Sequence, residues 1–250
     1  MMPAKGPRPS PKSVNQTTRA NNGRRGSMAG DMVSFPSNGK EASGYLAKPP
    51  EPGPAVIVLQ EFWGLNDDIK RIADRFAGEG FVALAPDMYH GQVATEPDEG
   101  RKLAMEMQLD QAARDLEGAV QHLKQDAGVS PKKVGSVGFC MGGGLSLYLA
   151  SLYPMDACVT YYGAPRYAEF KPEGITAPVL AHYAELDPET TGRGKKLADD
   201  LRAAGKDVEL HVYEGAHHSF FNQTRPEMYH EEAAEKSWQR TIAFFRNHLA

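Results

Sequence analysis

The chain is poor in cysteine: Cys140 and Cys158 are the two thiols among 250 residues. That excludes a disulfide-stapled secreted scaffold and fits a reducing, cytoplasmic location. No apolar run approaches the roughly 20 residues that a membrane-spanning helix needs, so no membrane association is expected. The histidines outside one adjacent pair (His90, His122, His182, His211, His230, His248) are scattered, with no spacing such as His-Glu-x-x-His, and no metal site is expected. The net charge of −4 gives no global reason to expect a nucleic-acid partner.

Acid is also missing from the first 27 residues. They carry Lys5, Arg8, Lys12, Arg19, Arg24 and Arg25, so this segment holds six positive charges and the remainder about −10. The segment is rich in Pro, Asn, Ser, Gly and Thr and has few large apolar side chains. It cannot bury enough surface to offset its ordering entropy, so residues 1–30 are expected to be a disordered basic leader. It lacks the apolar centre of a secretory signal. Residues 31–250 show no linker and no internal repeat, and are expected to form one domain.

Within that domain the pattern alternates. MVSFPS and ASGYLAKP flank the turn signal NGK and predict a hairpin. Ala55 to Glu61 (AVIVLQE) is a continuous apolar run, as in a strand covered on both faces. DDIKRIADRFAGEG places Ile69, Ile72, Ala73 and Phe76 at helical spacing. FVALAPD, KKVGSVGFC, DACVTYYG, APVLAHYAELD and DVELHVYEG read as further strands. Between them lie helical patterns, including GRKLAMEMQLDQAARDLEGAVQHLKQDAG, which is one long helix or a broken pair. RPEMYHEEAAEKSWQRTIAFFRNHLA supplies the last helix. Alternating strands and helices predict an α/β fold with a mostly parallel sheet and helices on both faces. Ligands of such sheets bind at the carboxyl ends of the strands.

Four predicted strand ends carry chemistry-bearing residues. VGSVGFCMGGGLS contains G-x-C-x-G, with Cys140 where the strand turns into a helix. The neighbours two positions away must be small at such a turn, and Gly138 and Gly142 are. The helix N-terminus offers backbone donors and a partial positive charge to a thiolate. Asp187, in AELDP, follows a buried strand and can orient a histidine; Glu185 is its near competitor. His217 and His218 follow the last strand, and spacing alone does not choose between them. Glu61, in LQEFWGLND, ends an apolar strand, where a carboxylate is partly desolvated and needs a proton or a partner. The order Cys, Asp, His is that of nucleophile, acid and base on an α/β-hydrolase sheet.

With these residues assembled, the chain from about residue 31 to 250 resembles the dienelactone hydrolase family of α/β-hydrolases. The motifs that carry the likeness are QEFWGLN, APDMYHG, GFCMGGG, TYYG, AELD and GAHHSFFN. The resemblance implies an α/β-hydrolase fold and hydrolysis of a carboxylic ester or lactone without a cofactor. It implies Cys140 as nucleophile, Asp187 as acid and His218, followed by Ser219-Phe220, as base. Glu61 would interact with the resting thiol, and the backbone amides of Phe62 and Met141 would hold the oxyanion. Family members that act on dienelactone grip its carboxylate with arginines that follow the PD-x-Y and HSF motifs. Gly91 and Asn222 stand at those places here, so Arg225 or Arg166 would have to substitute. Trp63, Tyr89, His90, Tyr162, Asn222 and Arg225 are the candidate pocket residues. The expected partner is a small ester or lactone, acting on a monomer or small homo-oligomer. Two competing readings are a thiol-dependent carbonyl or redox protein using Glu61 and Cys140, and a non-catalytic binding protein on the same fold.

Overall fold

The structure, a computed structural model, describes residues 29–250 apart from Arg166, together with Met1. The basic leader falls almost wholly on residues outside the described ones. Gly30, placed in that leader by composition, belongs to the folded part: its N–H donates to Tyr45 Oη at 2.7 Å and to Asp74 Oδ1 at 3.0 Å.

Asn38 and Gly39 take positive φ of 44° and 81°, the backbone of a two-residue type I′ turn. They join β1 (Asp31–Ser37) to β2 (Lys40–Ala47) in an antiparallel hairpin. Six more strands follow: β3 (Gly53–Leu59), β4 (Val82–Pro86), β5 (Val129–Phe139), β6 (Ala157–Tyr161), β7 (Val179–Ala184) and β8 (Val208–Tyr213). The sheet order is β1-β2-β4-β3-β5-β6-β7-β8. β2 pairs antiparallel with β4, and every later pair is parallel. The chain steps outward from β3 to β4 and then crosses back to β5. The carboxyl ends of β3 and β5 therefore flank the point where the direction of winding reverses, which is where open α/β sheets bind ligands.

Among the described residues, six α-helices cover the sheet: α1 (Asp67–Gly78), α2 (Pro97–Glu106), α3 (Leu109–Gln125), α4 (Met141–Leu152), α5 (Pro188–Ala203) and α6 (Glu231–Leu249). Side chains alternate along β3. Val56 and Val58 join the layer under α1 and α6, while Ala55, Ile57 and Leu59 join the layer under α3, α4 and α5. The β3 run is apolar throughout because both of its faces are covered.

Three details differ from the sequence reading or settle it. The long helical pattern is a broken pair, with Met107 and Gln108 between α2 and α3. The last helix begins at Glu231 rather than near Arg225. His230 donates its N–H to the Phe220 carbonyl at 3.0 Å and accepts from Ala233 N–H through Nδ1 at 3.3 Å, so the chain is tied back to the β8 loop before the helix can start. β3 ends at Leu59, which leaves Gln60 and Glu61 beyond the ladder.

Phe245 of α6 is fully buried, with ring centroids 6.0 Å from both Phe76 and Phe81. A methyl on Gly135 would lie 2.8 Å from its ring. Phe245→Ala should therefore lower unfolding stability by about 3–5 kcal/mol in urea titration. A loss below about 1 kcal/mol would show that this layer is not close-packed.

Candidate active site

The turn from β5 into α4 is set by steric contact. A Cβ on Gly138 would lie 1.8 Å from the Gly142 carbonyl oxygen, and one on Gly142 would lie 2.3 Å from the Leu59 carbonyl oxygen. Only glycine fits at either place. Between them Cys140 adopts φ 54°, ψ −115°, a strained conformation for a residue with a side chain. Its backbone is held on both sides: Cys140 N–H donates to the Tyr161 carbonyl, and the Cys140 carbonyl accepts from Gly143 N–H, both at 3.0 Å. Cys140 thus caps α4 and stays partly exposed, whereas Cys158 is buried; neither forms a disulfide.

Asp187 follows β7 and caps α5, accepting from Thr190 N–H at 3.3 Å through Oδ1. Its other oxygen, Oδ2, accepts from His218 Nδ1–H at 2.6 Å. One aspartate therefore serves both the cap and the histidine. Burial raises the Asp187 pKa, but the bond to His218 and the capping bond outweigh it and hold the carboxyl below its ordinary range. Burial likewise opposes charge on His218. Hydrogen bonds to Asp187 and Cys140, and the charges of both, overcome it and push the imidazole up to about 10. The two competing residues are placed differently. His217 is exposed, and Glu185 accepts from Gly215 N–H at 2.9 Å, which fastens the loop that carries His218.

Glu61 is buried beside this pair. Its Oε2 accepts from Asn222 Nδ2 at 2.6 Å, and its Oε1 has no partner among the described residues. Burial is the largest influence and raises its pKa in spite of the Asn222 bond. Asn222 is itself fixed, with Oδ1 accepting from Thr224 N–H and Oγ1–H at 2.9 and 2.6 Å. The amides of Phe62 and Met141 donate to no acceptor among the described residues. They follow β3 and β5, which are neighbours in the sheet.

Cys140 and His218 open on a cleft of about 280 Å³, lined also by Met107, Met141, Tyr162, Tyr167, Thr190 and Arg193. Tyr162 is buried at positive φ, 39°, and its ring centroid lies 5.0 Å from that of His218.

The sequence model of the dienelactone hydrolase family matches residues 42–249. The chain belongs to the dienelactone hydrolase family. It is an ester or lactone hydrolase by that membership. The chain is 38% identical to an Aquifex aeolicus protein named "Putative carboxymethylenebutenolidase", over 88% of this chain and 99% of that one. It is 34% identical to the "Probable 2-oxo-3-(5-oxofuran-2-ylidene)propanoate lactonase" of Bradyrhizobium, over 89% and 96% of the two chains. A crystal structure titled "Putative Dienelactone Hydrolase" from Klebsiella pneumoniae superposes with TM-score 0.76 at 30% identity, covering 86% of this chain and 97% of that one.

For this dienelactone hydrolase family member, the expected pocket residues do not all meet at Cys140. Tyr162 lines the cleft. Tyr89 stands behind it, donating from Oη to Met141 Sδ at 3.2 Å. His90, at φ 51°, faces a separate hollow with Tyr89 and lies 3.5 Å from Asp115. Arg225 lies over the Trp63 ring at 4.5 Å and reaches Glu227 at 3.2 Å, in another hollow that both residues line. Asn222 is committed to Glu61. Arg166 lies outside the described residues. Met107, Tyr167, Thr190 and Arg193 escaped sequence reasoning, because nothing local marks residues that converge from the α2–α3 break, α5 and the β6 loop.

The Asp187–His218 pair makes a testable pH signature. His218 has a raised pKa, so its contribution to stability is fully present below the ordinary value of 6.5 and is lost as pH rises through about 10. Asp187 has a lowered pKa, so its contribution is fully present above 3.8 and is lost as pH falls through its lower folded value. Asp187→Asn keeps a good helix cap. The melting-temperature gap between wild type and this variant should be widest from about pH 4 to 6.5 and close as pH rises to about 10. A gap that does not change with pH would contradict the pairing.

Proposed function

We propose that Cys140, His218 and Asp187 form a catalytic triad that hydrolyses a carboxylic ester or lactone through a thioester on Cys140. The observation that carries this reading is the strained, partly exposed Cys140 sharing one cleft with a His218 that is anchored on Asp187. With its pKa raised to about 10, His218 holds a proton at neutral pH that it can deliver to a departing oxygen.

The chemistry follows from these positions. Cys140 Sγ attacks the carbonyl carbon, and the electron pair of the C=O bond moves to oxygen. The amides of Phe62 and Met141 stabilise that oxyanion, a contribution of about 3–4 kcal/mol per donor at comparable sites. The carbonyl re-forms as the C–O bond to the alcohol breaks, and the imidazolium of His218 delivers its proton to the departing oxygen. Neutral His218 then takes a proton from water as water attacks the thioester. The Cys140 thiolate departs, and the acid is released. Asp187 keeps the Nδ1 proton in place, so that Nε2 does the transfers. No step requires a cofactor. A thiolate expels an enolate or a phenolate readily and an amine poorly, which favours esters and lactones over peptides.

Glu61 is assigned to the resting enzyme. Burial raises the pKa of its carboxyl and Asn222 aims it, which suits it to hydrogen-bond the Cys140 side chain before substrate arrives, while Asp187 makes the bond to His218.

Cys140→Ala should reduce turnover of p-nitrophenyl acetate by about 10³-fold or more, with the melting temperature retained. Turnover that survives in this variant would refute Cys140 as nucleophile and leave the family's chemistry to another group.

A further inference from the structure

We propose that the hollow beside Tyr89 and His90 is a second substrate subsite, which takes an uncharged acyl chain past Met107 from the cleft at Cys140; this rests on the ester or lactone reading given above. The cleft holds about 280 Å³. Ligand sites usually enclose roughly 300–1,000 Å³, so the cleft alone suits a small acyl group. The hollow holds about 520 Å³. Met107 lines both spaces and forms the partition between them.

Three contacts seat the hollow beside the reacting atoms. Tyr89 lines the hollow and donates from Oη to Met141 Sδ at 3.2 Å, and Met141 lines the cleft. Met88, also in the hollow, donates its N–H to Gln60 Oε1 at 3.2 Å, and Gln60 precedes Glu61. A Cβ on Gly100 of α2 would lie 2.7 Å from the Phe62 ring, so α2 rests on a residue whose amide is assigned to the oxyanion. The inner wall is fixed. Asp87 accepts from Tyr89 N–H at 3.1 Å and from Gly91 N–H at 2.6 Å, and His90 between them is held at φ 51°. The partition is of another kind. Met107 is half-buried in the break between α2 and α3, and its unbranched thioether side chain repacks at low cost.

The lining selects the ligand. Lys40 and Arg114 are balanced by Glu106 and Asp110, so the hollow favours neither sign of charge. Met88, Tyr89, Leu103 and Ala112 offer apolar surface that a methylene chain can cover. The mechanism selects which arm of the substrate enters. His218 protonates the departing oxygen and so keeps the alcohol arm on its own side of Cys140. The acyl arm, which stays on the sulfur, is the one left to run toward Met107.

The test compares p-nitrophenyl octanoate with p-nitrophenyl acetate and reads the ratio of their kcat/KM values. Gln111 lines the hollow from α3, donates to Asp115 at 2.7 Å and accepts from Arg114 at 3.1 Å. In Gln111→Trp, which fills the hollow, the octanoate-to-acetate ratio should fall about tenfold or more. Gln111→Ala loses the same two bonds without filling the hollow, and its ratio should stay within about twofold of wild type. A fall in both variants, or in neither, would overturn the proposal. Met107→Ala removes the partition and should raise the ratio; an unchanged or lower ratio would overturn its role. A second measurement does not depend on turnover. Iodoacetamide and N-hexyl iodoacetamide both alkylate a thiolate, with a C–S bond forming as iodide leaves, and they differ in the alkyl chain. The hexyl-to-parent ratio of their rates, followed on the Cys140 peptide, should drop in Gln111→Trp and hold in Gln111→Ala; any other pattern would overturn the subsite. If the wild type hydrolyses neither ester, the hydrolase reading fails, and the alkylation ratio still decides on the hollow.

Discussion

Between β5 and α4 the backbone of Gly138 passes the Gly142 carbonyl, and that of Gly142 passes the Leu59 carbonyl, so closely that no side chain fits on either residue. That contact forces the strand to turn at once into the helix, and it leaves Cys140 at positive φ with its side chain standing clear of the sheet. The conformation costs about 1–3 kcal/mol, by the usual measure of such backbone strain. It persists because hydrogen bonds from β6 and from the first turn of α4 hold the residue from both sides. The rest of the site is arranged around this fixed point. Asp187 and His218 arrive from the β7 and β8 ends, and Glu61 from the β3 end.

The electrostatics of the site divide its carboxylates by environment. Asp187 is partly exposed, bonded to His218 and to a helix N-terminus, and stays charged. Glu61 is buried with one oxygen unpartnered and is pushed toward neutrality. Environment thus moves the two carboxyls in opposite directions from their ordinary values, which is how acid and base roles are separated elsewhere.

Much of this was legible in the sequence because the chemistry is encoded locally. The glycines around Cys140 announce a sharp turn, and apolar runs ending in Glu61 or Asp187 announce strand ends. The α/β architecture follows from the alternation of periods. The choice of His218 over His217 came from family likeness, since two adjacent histidines have equal local claims; in the fold one is exposed and the other meets Asp187. What stayed hidden depends on convergence in space. Asn222 marks the place of a lost substrate grip in the sequence, yet it holds Glu61 from 161 residues away. Arg225 has the right charge but lies over Trp63. Arg193 sits in a polar helix pattern that reads as a solvated face, yet it lines the cleft with Cys140 and His218. The break between α2 and α3, which puts Met107 at the cleft, carries no Pro or Gly to announce it.

The central claim is that acyl transfer passes through the Cys140 sulfur. Removing the base should slow release of the acyl group more than its capture from an activated ester. His218→Asn mixed with excess p-nitrophenyl acetate and quenched in acid should show, by intact mass and peptide mapping, one acetyl group per chain on the Cys140 peptide. Free hydroxylamine should remove it, as expected for a thioester. An unmodified Cys140 peptide, or an acetyl group found on another side chain, would contradict the account.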